Sequence, residues 1–468
     1  MKILRRDVLR TGAYGVAGSV ANQLGAPSIF ANSGSVIDRE VCVIGGGSAG
    51  TYTAVRVRDL GRSVVLLEPR ARLGGDADTY IDPATGVPVD IGVMIFEDIP
   101  LVQQYFARLD LSPVKVPLIA SPATAYVDFR TGRVVTGYTP PTSAQLGEAL
   151  YAYQQILSSQ FSYLGSGFPL PSPVPDDLVR PFQNFVTKYG LGNLVSTVFE
   201  YTQGIGQLLD VPALYVLKYF SVNVVNSIFS GYFLAIPSGT QQIYDNAAAL
   251  LGADVVLNAS VKRVNRRDSR VHVLVDTPDG PRVVQCRKLV VAFPPTLENF
   301  APLDLDSLEA STFSRLRPNC YATALVALSG LPAGLLVLNT APDTPYNLPP
   351  LPGLYALLAT PVPGLWNALY GASAPIPDAT IKQSIEDSIQ RMASAGTYPV
   401  QFEGYVLYSN HTPFELMVSA DDIADGYYNV LNSLQGRHNT FFTGAAFQTN
   451  DSSLIWQFSE MLLPSIVA

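Results

Sequence analysis

A glycine-rich turn between two short β-branched runs is the strongest chemical signal in the sequence. The run Glu40–Ile44 leads into Gly45-Gly46-Gly47-Ser48-Ala49-Gly50, after which small and apolar residues recur at helical spacing up to Gly61. A second run, Ser63–Leu67, ends at Glu68. This order predicts a β-strand, an α-helix and a second, parallel β-strand.

Each glycine of the turn has a separate role in binding a dinucleotide. Gly45 permits the tight turn, Gly47 lets the backbone approach a pyrophosphate, and Gly50 lets the helix pack closely on the strand. The predicted helix begins at Ser48 and Ala49. Its free N–H groups and positive dipole end then face the phosphates, so the segment predicts a dinucleotide-binding unit.

The acid that ends the second strand narrows the choice of cofactor. Glu68, 18 residues after Gly50, stands where an acid accepts hydrogen bonds from ribose hydroxyls, which favours FAD or NAD over NADP. The next segment, Arg70-Ala71-Arg72-Leu73-Gly74-Gly75, resembles the Arg-x-Gly-Gly element of flavoproteins of the amine oxidase and phytoene desaturase superfamily. The resemblance implies FAD, with Gly74 and Gly75 close to the cofactor and Arg72 offsetting pyrophosphate charge.

Later segments resemble the same superfamily in the expected order. We interpret Val283–Ala292 as one strand that enters Phe293-Pro294-Pro295, and Asn439–Thr443 as a C-terminal strand before a turn and a helix. The resemblance implies that the backbone near Val261 meets the adenine. It also implies that the C-terminal turn and helix contact the ribityl chain and the flavin. The contacting residues there would be Gly444, Phe447 and Ser452.

Three short motifs point to a subgroup of the superfamily. Gly45–Tyr52, Arg72–Tyr80 and Asp451–Phe458 together resemble the fungal-type subgroup that includes β-cyclopiazonate dehydrogenase. That subgroup uses FAD to oxidise carbon centres in natural-product biosynthesis. The resemblance implies an FAD-dependent oxidase or dehydrogenase. It would remove a hydride from an apolar, nitrogen-containing or aromatic small molecule of secondary metabolism, with oxygen as the expected acceptor.

The sequence also departs from the wider amine oxidase pattern. Asp76 replaces the second Arg of the Arg-Gly-Gly-Arg element, and Ala445 replaces the acid after the last glycine. No cysteine lies near that turn, so a thioether link to the flavin has no candidate and we expect non-covalent FAD. No lysine occurs in the region 318–328, where many amine oxidases hold a water at flavin N5. These differences put primary-amine oxidation in doubt.

The resemblance implies an α/β fold class: a Rossmann-type FAD-binding domain of the GR2 or amine-oxidase type with an inserted α+β substrate domain. The FAD-binding domain would be discontinuous and comprise 36–98, 236–298 and 431–468. The substrate domain would comprise 99–235 and 299–430.

The catalytic residues are not assigned by the sequence. Hydride transfer to flavin needs little acid–base equipment, so we expect an aromatic pocket that excludes water. Any one candidate could instead be an ordinary core residue. Of the histidines in the C-terminal third, His438 precedes the last strand, which disfavours an alcohol-oxidase type of histidine base. The pocket candidates are Tyr201, Gln203, Tyr321, Trp366 and Trp456.

Composition excludes several function classes for this chain of 468 residues. Charged residues make up 15%, hydrophobic residues 48%, and the net charge is −8, which argues against disorder and against nucleic-acid binding. The apolar stretches are too short for a transmembrane span. The three cysteines are expected to be buried thiols, and three histidines without paired spacing predict no metal site. The partner is therefore expected to be a small molecule, and the oligomeric state is left open.

The N-terminal segment has the pattern of a targeting signal. Met1–Ala31 combines a basic start, with Arg5 and Arg6 adjacent, and a mildly apolar run of small residues. Arg5–Arg10 resembles a twin-arginine export signal. We therefore expect export or secretion, with a cytoplasmic location as the alternative.

Two other functions fit the same fold. One is a redox-neutral FAD isomerase or a desaturase relative. The other is a non-catalytic lipid-binding protein that resembles GDP dissociation inhibitors. Those binders have a degenerate nucleotide fingerprint, whereas the turn from Gly45 to Gly50 is intact in this chain.

Overall fold

The computed structural model describes residues 36–118, 123–266 and 269–468. The predicted signal segment Met1–Ala31 lies outside the described residues. The helices of the described part are α1 (Ser48–Asp59), α2 (Pro100–Arg108), α3 (Ser143–Gln160), α4 (Asp176–Val179), α5 (Phe182–Tyr189), α6 (Val195–Tyr201), α7 (Ala213–Tyr219), α8 (Val222–Ser230), α9 (Gln241–Leu251), α10 (Ser307–Phe313), α11 (Asp378–Ser394), α12 (Ala420–Ala424), α13 (Tyr427–Ser433) and α14 (Ser452–Ile466).

The strands of the described part belong to six sheets. In chain order they are β1 (Val36–Asp38), β2 (Val41–Ile44), β3 (Val64–Leu67), β4 (Ala77–Ile81), β5 (Pro88–Gly92), β6 (Val114–Pro117), β7 (Ala123–Asp128), β8 (Arg133–Val134), β9 (Tyr232–Ala235), β10 (Val255–Val256), β11 (Ser260–Asn265), β12 (Val271–Thr277), β13 (Gly280–Cys286), β14 (Lys288–Val291), β15 (Arg317–Pro318), β16 (Cys320–Ser329), β17 (Leu335–Asn339), β18 (Gly353–Ala359), β19 (Leu365–Ala372), β20 (Gln401–Asn410), β21 (Leu416–Met417) and β22 (Thr440–Phe442).

A five-stranded parallel sheet forms the centre of the N-terminal unit. Its order is β10-β3-β2-β14-β22, and every neighbouring pair is parallel. The inner strands are continuous apolar runs because both faces of such a sheet are covered. Helix α1 connects β2 to β3 and buries its small residues, which confirms the predicted strand–helix–strand unit and the Rossmann-type fold.

The run Val283–Ala292 is two strands in two sheets, so its interpretation as one strand was wrong. Strand β13 joins the four-stranded sheet β1-β13-β12-β11, while β14 lies in the parallel sheet between β2 and β22. The chain changes sheet at Arg287, whose backbone N–H donates to the Glu40 carbonyl. The change brings the end of β14 next to the glycine turn.

A seven-stranded sheet supports the other side of the molecule. Its order is β20-β16-β19-β18-β17-β7-β8, antiparallel except for the β17–β7 pair. Helix α11 buries its apolar face on this sheet through Ile381, Ile385 and Met392. The predicted boundaries of the two domains stay a prediction. The strands of the parallel sheet come from 41–67, 255–291 and 440–442.

The remaining global expectations concern thiols and membranes. Cys42, Cys286 and Cys320 are all buried and free, as predicted. In the described part of the chain, no helix is both long enough and apolar enough to cross a membrane.

Candidate active site

Two glycines of the turn, Gly45 and Gly50, leave no room for a side chain. Gly45 has φ +104°, and a Cβ there would lie 2.7 Å from the Ala292 carbonyl oxygen at the end of β14. A Cβ on Gly50 would lie 1.8 Å from the Gly45 carbonyl oxygen. Gly45 therefore has the positive φ that the tight turn requires, and Gly50 packs the helix directly on that turn.

The start of α1 is left open towards a large cavity. Gly47 is the N-cap residue, no side chain caps the helix, and its first turn contains no acid. A Cβ on Gly47 would meet only the Gly75 Cα, at 3.7 Å, so the space in front of it is free. Ser48 and Ala49 also line the cavity. Uncapped N–H groups at a positive helix end are what a pyrophosphate requires.

Glu68 lies at the end of β3 and faces the same cavity. Its side chain is 5% exposed. One carboxylate oxygen accepts from the Gly46 N–H at 2.7 Å, and the other accepts from the Arg70 N–H at 2.8 Å. Two backbone donors therefore fix the carboxylate in position.

The second glycine pair lies directly against the first. The Gly74 N–H donates to the Gly46 carbonyl at 2.9 Å, and a Cβ on Gly75 would lie 2.9 Å from the Gly47 Cα. Both residues line the cavity, and so does Val261. Together these glycines form a backbone cradle, made of Gly45–Gly47 and Gly74–Gly75.

The prediction for Arg72 was wrong, because its guanidinium is used elsewhere. It donates to the Ala77 carbonyl at 2.9 Å and pairs with Asp78 and Gln241, away from the cavity lining. Arg70 lines the cavity instead, where its guanidinium donates to the Gly75 carbonyl at 2.7 Å. Both arginines lie in the same sequence motif, and only their packing in the folded protein determines which one lines the cavity.

The C-terminal turn brings a second helix start to the cradle. Gly444 and Ser452 line the cavity, and the Ser48 hydroxyl donates to the Ser452 hydroxyl oxygen at 3.0 Å. Asp451 caps α14 by accepting from the Leu454 N–H at 3.1 Å. Burial and the neighbouring Asp451 carboxylate raise the pKa of Glu97, which also lines the cavity, well above its usual value.

Two aromatic residues near this turn do not reach the cavity, contrary to expectation. Phe447 is buried against Phe442, with ring centroids 5.8 Å apart and an interplanar angle of 19°. Trp456 is fully buried and stacks on Phe96 with ring centroids 5.5 Å apart. Both side chains point into the hydrophobic core, where burial of their apolar surface stabilises them. Neither residue lines the cavity.

One continuous cavity of about 1050 Å³ joins the backbone cradle to an aromatic region. We call this region the substrate chamber and define it as the cavity-lining residues that come from 116–233 and 321–416. Its walls are largely aromatic and aliphatic side chains, which suits an apolar ligand. Among its members are Tyr126, Tyr138, Phe199, Glu200, Tyr201, Phe233, Tyr321, Leu338, Tyr355, His411 and Phe414.

Three of the predicted pocket residues meet in the substrate chamber. Tyr201, Gln203 and Tyr321 line it, and the Tyr321 hydroxyl donates to the Gln203 side-chain oxygen at 2.7 Å. Burial raises the pKa of Tyr201 and of Tyr321. Trp366 was predicted wrongly: it is buried on β19 in the core between the seven-stranded sheet and α11.

Three polar groups at the chamber wall have no motif in the sequence that would reveal them: Thr323, His411 and Asp76. The His411 Nε2 lies 3.0 Å from the Thr323 hydroxyl, and its Nδ1 lies 3.4 Å from an Asp76 carboxylate oxygen. Burial alone would raise the pKa of Asp76, but the His411 imidazole together with Arg70 and Arg72 lowers it. Asp76 directly follows the glycine pair. The sequence shows only that an aspartate stands there in place of the arginine of the family pattern. His438, in contrast, bonds to Asp306 at 2.9 Å.

Glu200, next to Tyr201 on α6, was also missed. Its side chain is exposed to the cavity but enclosed by surrounding protein, and this burial raises its pKa to about 7. Within the described residues it makes no hydrogen bond and no ion pair. A single acid in an amphipathic helix has no sequence pattern that separates it from a surface residue.

Comparison with known proteins identifies similar chains. The family model "Flavin containing amine oxidoreductase" matches residues 49–326. The chain is 36% identical over 452 residues to the FAD-dependent oxidoreductase oblC of Cochliobolus heterostrophus, which covers 93% of this chain and 92% of that protein. It is 34% identical to the FAD-dependent oxidoreductase dbaF of Emericella nidulans, with 99% of both chains covered. It is 32% identical to the β-cyclopiazonate dehydrogenase of Aspergillus oryzae, with 92% and 94% covered.

Solved structures share the fold at lower identity. A fatty acid isomerase of P. acnes that produces CLA superposes with a TM-score of 0.75 at 20% identity and covers 92% of this chain and 99% of its own. Putrescine oxidase bound to putrescine superposes with a TM-score of 0.65 at 17% identity and covers 93% of this chain and 100% of its own.

Proposed function

This chain belongs to the flavin-containing amine oxidoreductase family and is an FAD-dependent oxidoreductase, and we propose that it removes a hydride from an apolar, nitrogen-containing or aromatic small molecule of secondary metabolism. One observation carries the proposal. The backbone cradle for FAD and the aromatic substrate chamber belong to a single continuous cavity. The intact cradle also argues against a non-catalytic lipid binder.

The residues present fit FAD. The uncapped start of α1 at Gly47 would hold the pyrophosphate, and Glu68 would accept from the ribose hydroxyls. Val261 would meet the adenine, and Gly444 and Ser452 would lie along the flavin end. Of the three cysteines, none lines the cavity, which supports non-covalent binding.

When bound, FAD supplies the hydride acceptor for a substrate C–H bond. The chain's own residues position the substrate and exclude water. The rings of Tyr201 and Phe233, with centroids 5.7 Å apart, form an apolar wall. The His411 imidazole is held at the chamber wall by the Thr323 hydroxyl, 3.0 Å from Nε2, while its Nδ1 lies 3.4 Å from an Asp76 carboxylate oxygen without forming a hydrogen bond. We propose that oxygen is the electron acceptor that reoxidises the flavin.

The proposal is tested with purified holoenzyme. The protein is expected to be yellow, and a library of apolar amines, alcohols and phenols is mixed with it without oxygen. A substrate bleaches the visible flavin absorbance, and admitted air restores the absorbance and yields hydrogen peroxide. Folded protein that neither retains nor takes up FAD contradicts the proposal. Conversion of a substrate without net bleaching or oxygen uptake would instead support the redox-neutral isomerase.

The acid at the end of β3 gives a quantitative prediction. Glu68→Ala removes a charged hydrogen-bond acceptor for the ribose and is expected to weaken FAD binding by about 1.5–3 kcal/mol. The dissociation constant would rise by roughly ten- to a hundredfold. Titration of the apoprotein with FAD, followed by flavin fluorescence, measures it. Glu148→Ala, on the exposed face of α3, is the control and should bind FAD normally.

Export through the N-terminal segment 1–31 is part of the proposal. The full-length chain is expected to appear outside the cytoplasm of its producing cell with FAD already bound, since a twin-arginine type of signal transports folded proteins. Cell fractionation with flavin fluorescence measures it, and Arg5→Lys together with Arg6→Lys should retain the protein inside. A chain found only in the cytoplasm supports the alternative location.

A further inference from the structure

Among the described residues, five carboxyl groups line the cavity, and four of them already have a partner. Glu68 accepts from two backbone N–H groups, Asp76 faces the His411 imidazole, and Asp451 caps α14 beside Glu97. The fifth is Glu200. It has no hydrogen-bond or ion-pair partner among the described residues, although its side chain opens onto the cavity. An ionisable group enclosed without a partner is costly unless a ligand provides one.

Apart from the His411 imidazole, which lies 3.4 Å from Asp76, the described part of the substrate chamber offers no basic side chain to neutralise this acid. No lysine or arginine is among its described lining residues, and Glu200 is the single carboxyl group there. Arg70, the arginine that lines the cavity, lies beside Gly75 in the cradle. A substrate carboxylate would therefore meet a like charge with no counterion, whereas an ammonium or a hydroxyl group would find an acceptor.

Three tyrosines lie near enough to Glu200 for its charge to act on their hydroxyls. The rings of Tyr126 and Tyr138 meet edge to face, with centroids 4.8 Å apart, and Tyr201 is the next residue on α6. Each of these three hydroxyls interacts electrostatically with the Glu200 carboxyl. Burial raises the pKa of all three tyrosines, so they stay neutral when Glu200 ionises. Aromatic rings around an anionic group form an environment suited to a cation.

Resting on the proposed function, we propose that Glu200 sets the substrate class of the chamber: it binds a protonated amine or a hydroxyl group of the substrate and excludes carboxylates. The chamber therefore selects cationic or neutral hydrogen-bond donors attached to an apolar body. The fatty acid isomerase shares the fold, but a free fatty acid is the wrong class of ligand for this chamber.

The test compares three probes of equal size: benzylamine, benzyl alcohol and benzoate. Each is titrated into yellow holoenzyme at about pH 8, and perturbation of the flavin spectrum gives the dissociation constants. Wild type should bind benzylamine and benzyl alcohol and discriminate against benzoate. In Glu200→Gln the benzoate-to-benzylamine ratio of dissociation constants is expected to fall by about ten- to a hundredfold, the range for a charged hydrogen bond. Glu148→Gln removes the same charge from an exposed position and should leave the ratio unchanged.

Wild type alone gives a second measurement. Because the pKa of Glu200 is about 7, the carboxyl is neutral at about pH 6, and the discrimination against benzoate should shrink there. An unchanged ratio in Glu200→Gln, equal binding of benzoate and benzylamine by wild type, or no binding of any probe would overturn the assignment. Failure of the proposed function has a separate sign: holoenzyme that binds the probes but whose flavin no substrate bleaches in the absence of oxygen.

Discussion

A Gly47→Val variant is expected to fold and to be purified without FAD. A Cβ at this position meets only the Gly75 Cα, at 3.7 Å, so the protein itself can accept a side chain. The valine methyl groups would instead fill the space in front of α1, where the pyrophosphate must approach the backbone. Visible absorbance and circular dichroism of the purified variant separate loss of FAD from loss of fold.

Two other glycine variants serve as controls for the effect of Gly47→Val on FAD binding. Gly50→Ala places a Cβ 1.8 Å from the Gly45 carbonyl oxygen and should disturb the fold as well as the cofactor. Gly147→Ala lies within α3, where a Cβ meets nothing within 4 Å, and should keep FAD and gain about 0.5–1 kcal/mol of stability. Normal flavin absorbance in Gly47→Val would refute the assignment of the cradle.

Glu309→Ala is expected to lower the free energy of unfolding by about 3 kcal/mol, the lower end of the cost of breaking a buried ion pair, because Arg266 keeps its second ion pair with Asp304. Arg266 and Glu309 are 2% and 0% exposed, and the two guanidinium hydrogen bonds measure 2.8 and 2.7 Å. The substitution also removes the acceptor of the Asp306 N–H at the start of α10. Urea unfolding, followed by circular dichroism, measures the change.

An exposed pair provides the matched control for this variant. Asp279 is 77% exposed and bonds to Arg282 at 2.9 Å, so Asp279→Ala should cost about 1 kcal/mol or less. Equal losses in the two variants would contradict the distinction between buried and exposed pairs. Glu309, Asp306 and His438 also bring three ligand atoms within 4.8 Å of one another. Since Arg266 and Arg437 occupy these carboxylates, a chelator should leave the stability of wild type unchanged.

The cradle could be predicted from sequence because its determinants are local. The turn, the first helix turn and the following strand lie within 28 residues, Glu40 to Leu67, and each glycine is required by the backbone itself. Local sequence does not determine whether a continuous apolar run forms one strand or two, because that depends on which distant strands pair with it. The run Val283–Ala292 has the pattern of one strand. Its first half pairs with β12, however, and its second half pairs with β2 and β22.

The aromatic and charged members of the site depended on packing. Trp366 and Trp456 have the composition of pocket residues, but apolar neighbours on every side bury them completely in the core. Arg70 and Arg72 are two residues apart, and only the position of Asp78 draws Arg72 away. Glu200, Asp76 and His411 converge on the cavity from separate parts of the sequence. No single segment contains the information that places them together.

The order of the parallel sheet has a consequence for the timing of biosynthesis. Strand β2 pairs with β14, which pairs in turn with β22, so the first and last thirds of the chain meet in one sheet. A ribosome releases β2 and its glycine turn long before it releases their partners. The cavity wall at the start of α1 is therefore incomplete until the C-terminal helix α14 has been synthesised and places Ser452 beside Ser48. We therefore expect FAD to bind after translation ends, and we expect the long-range pairing to make folding slow.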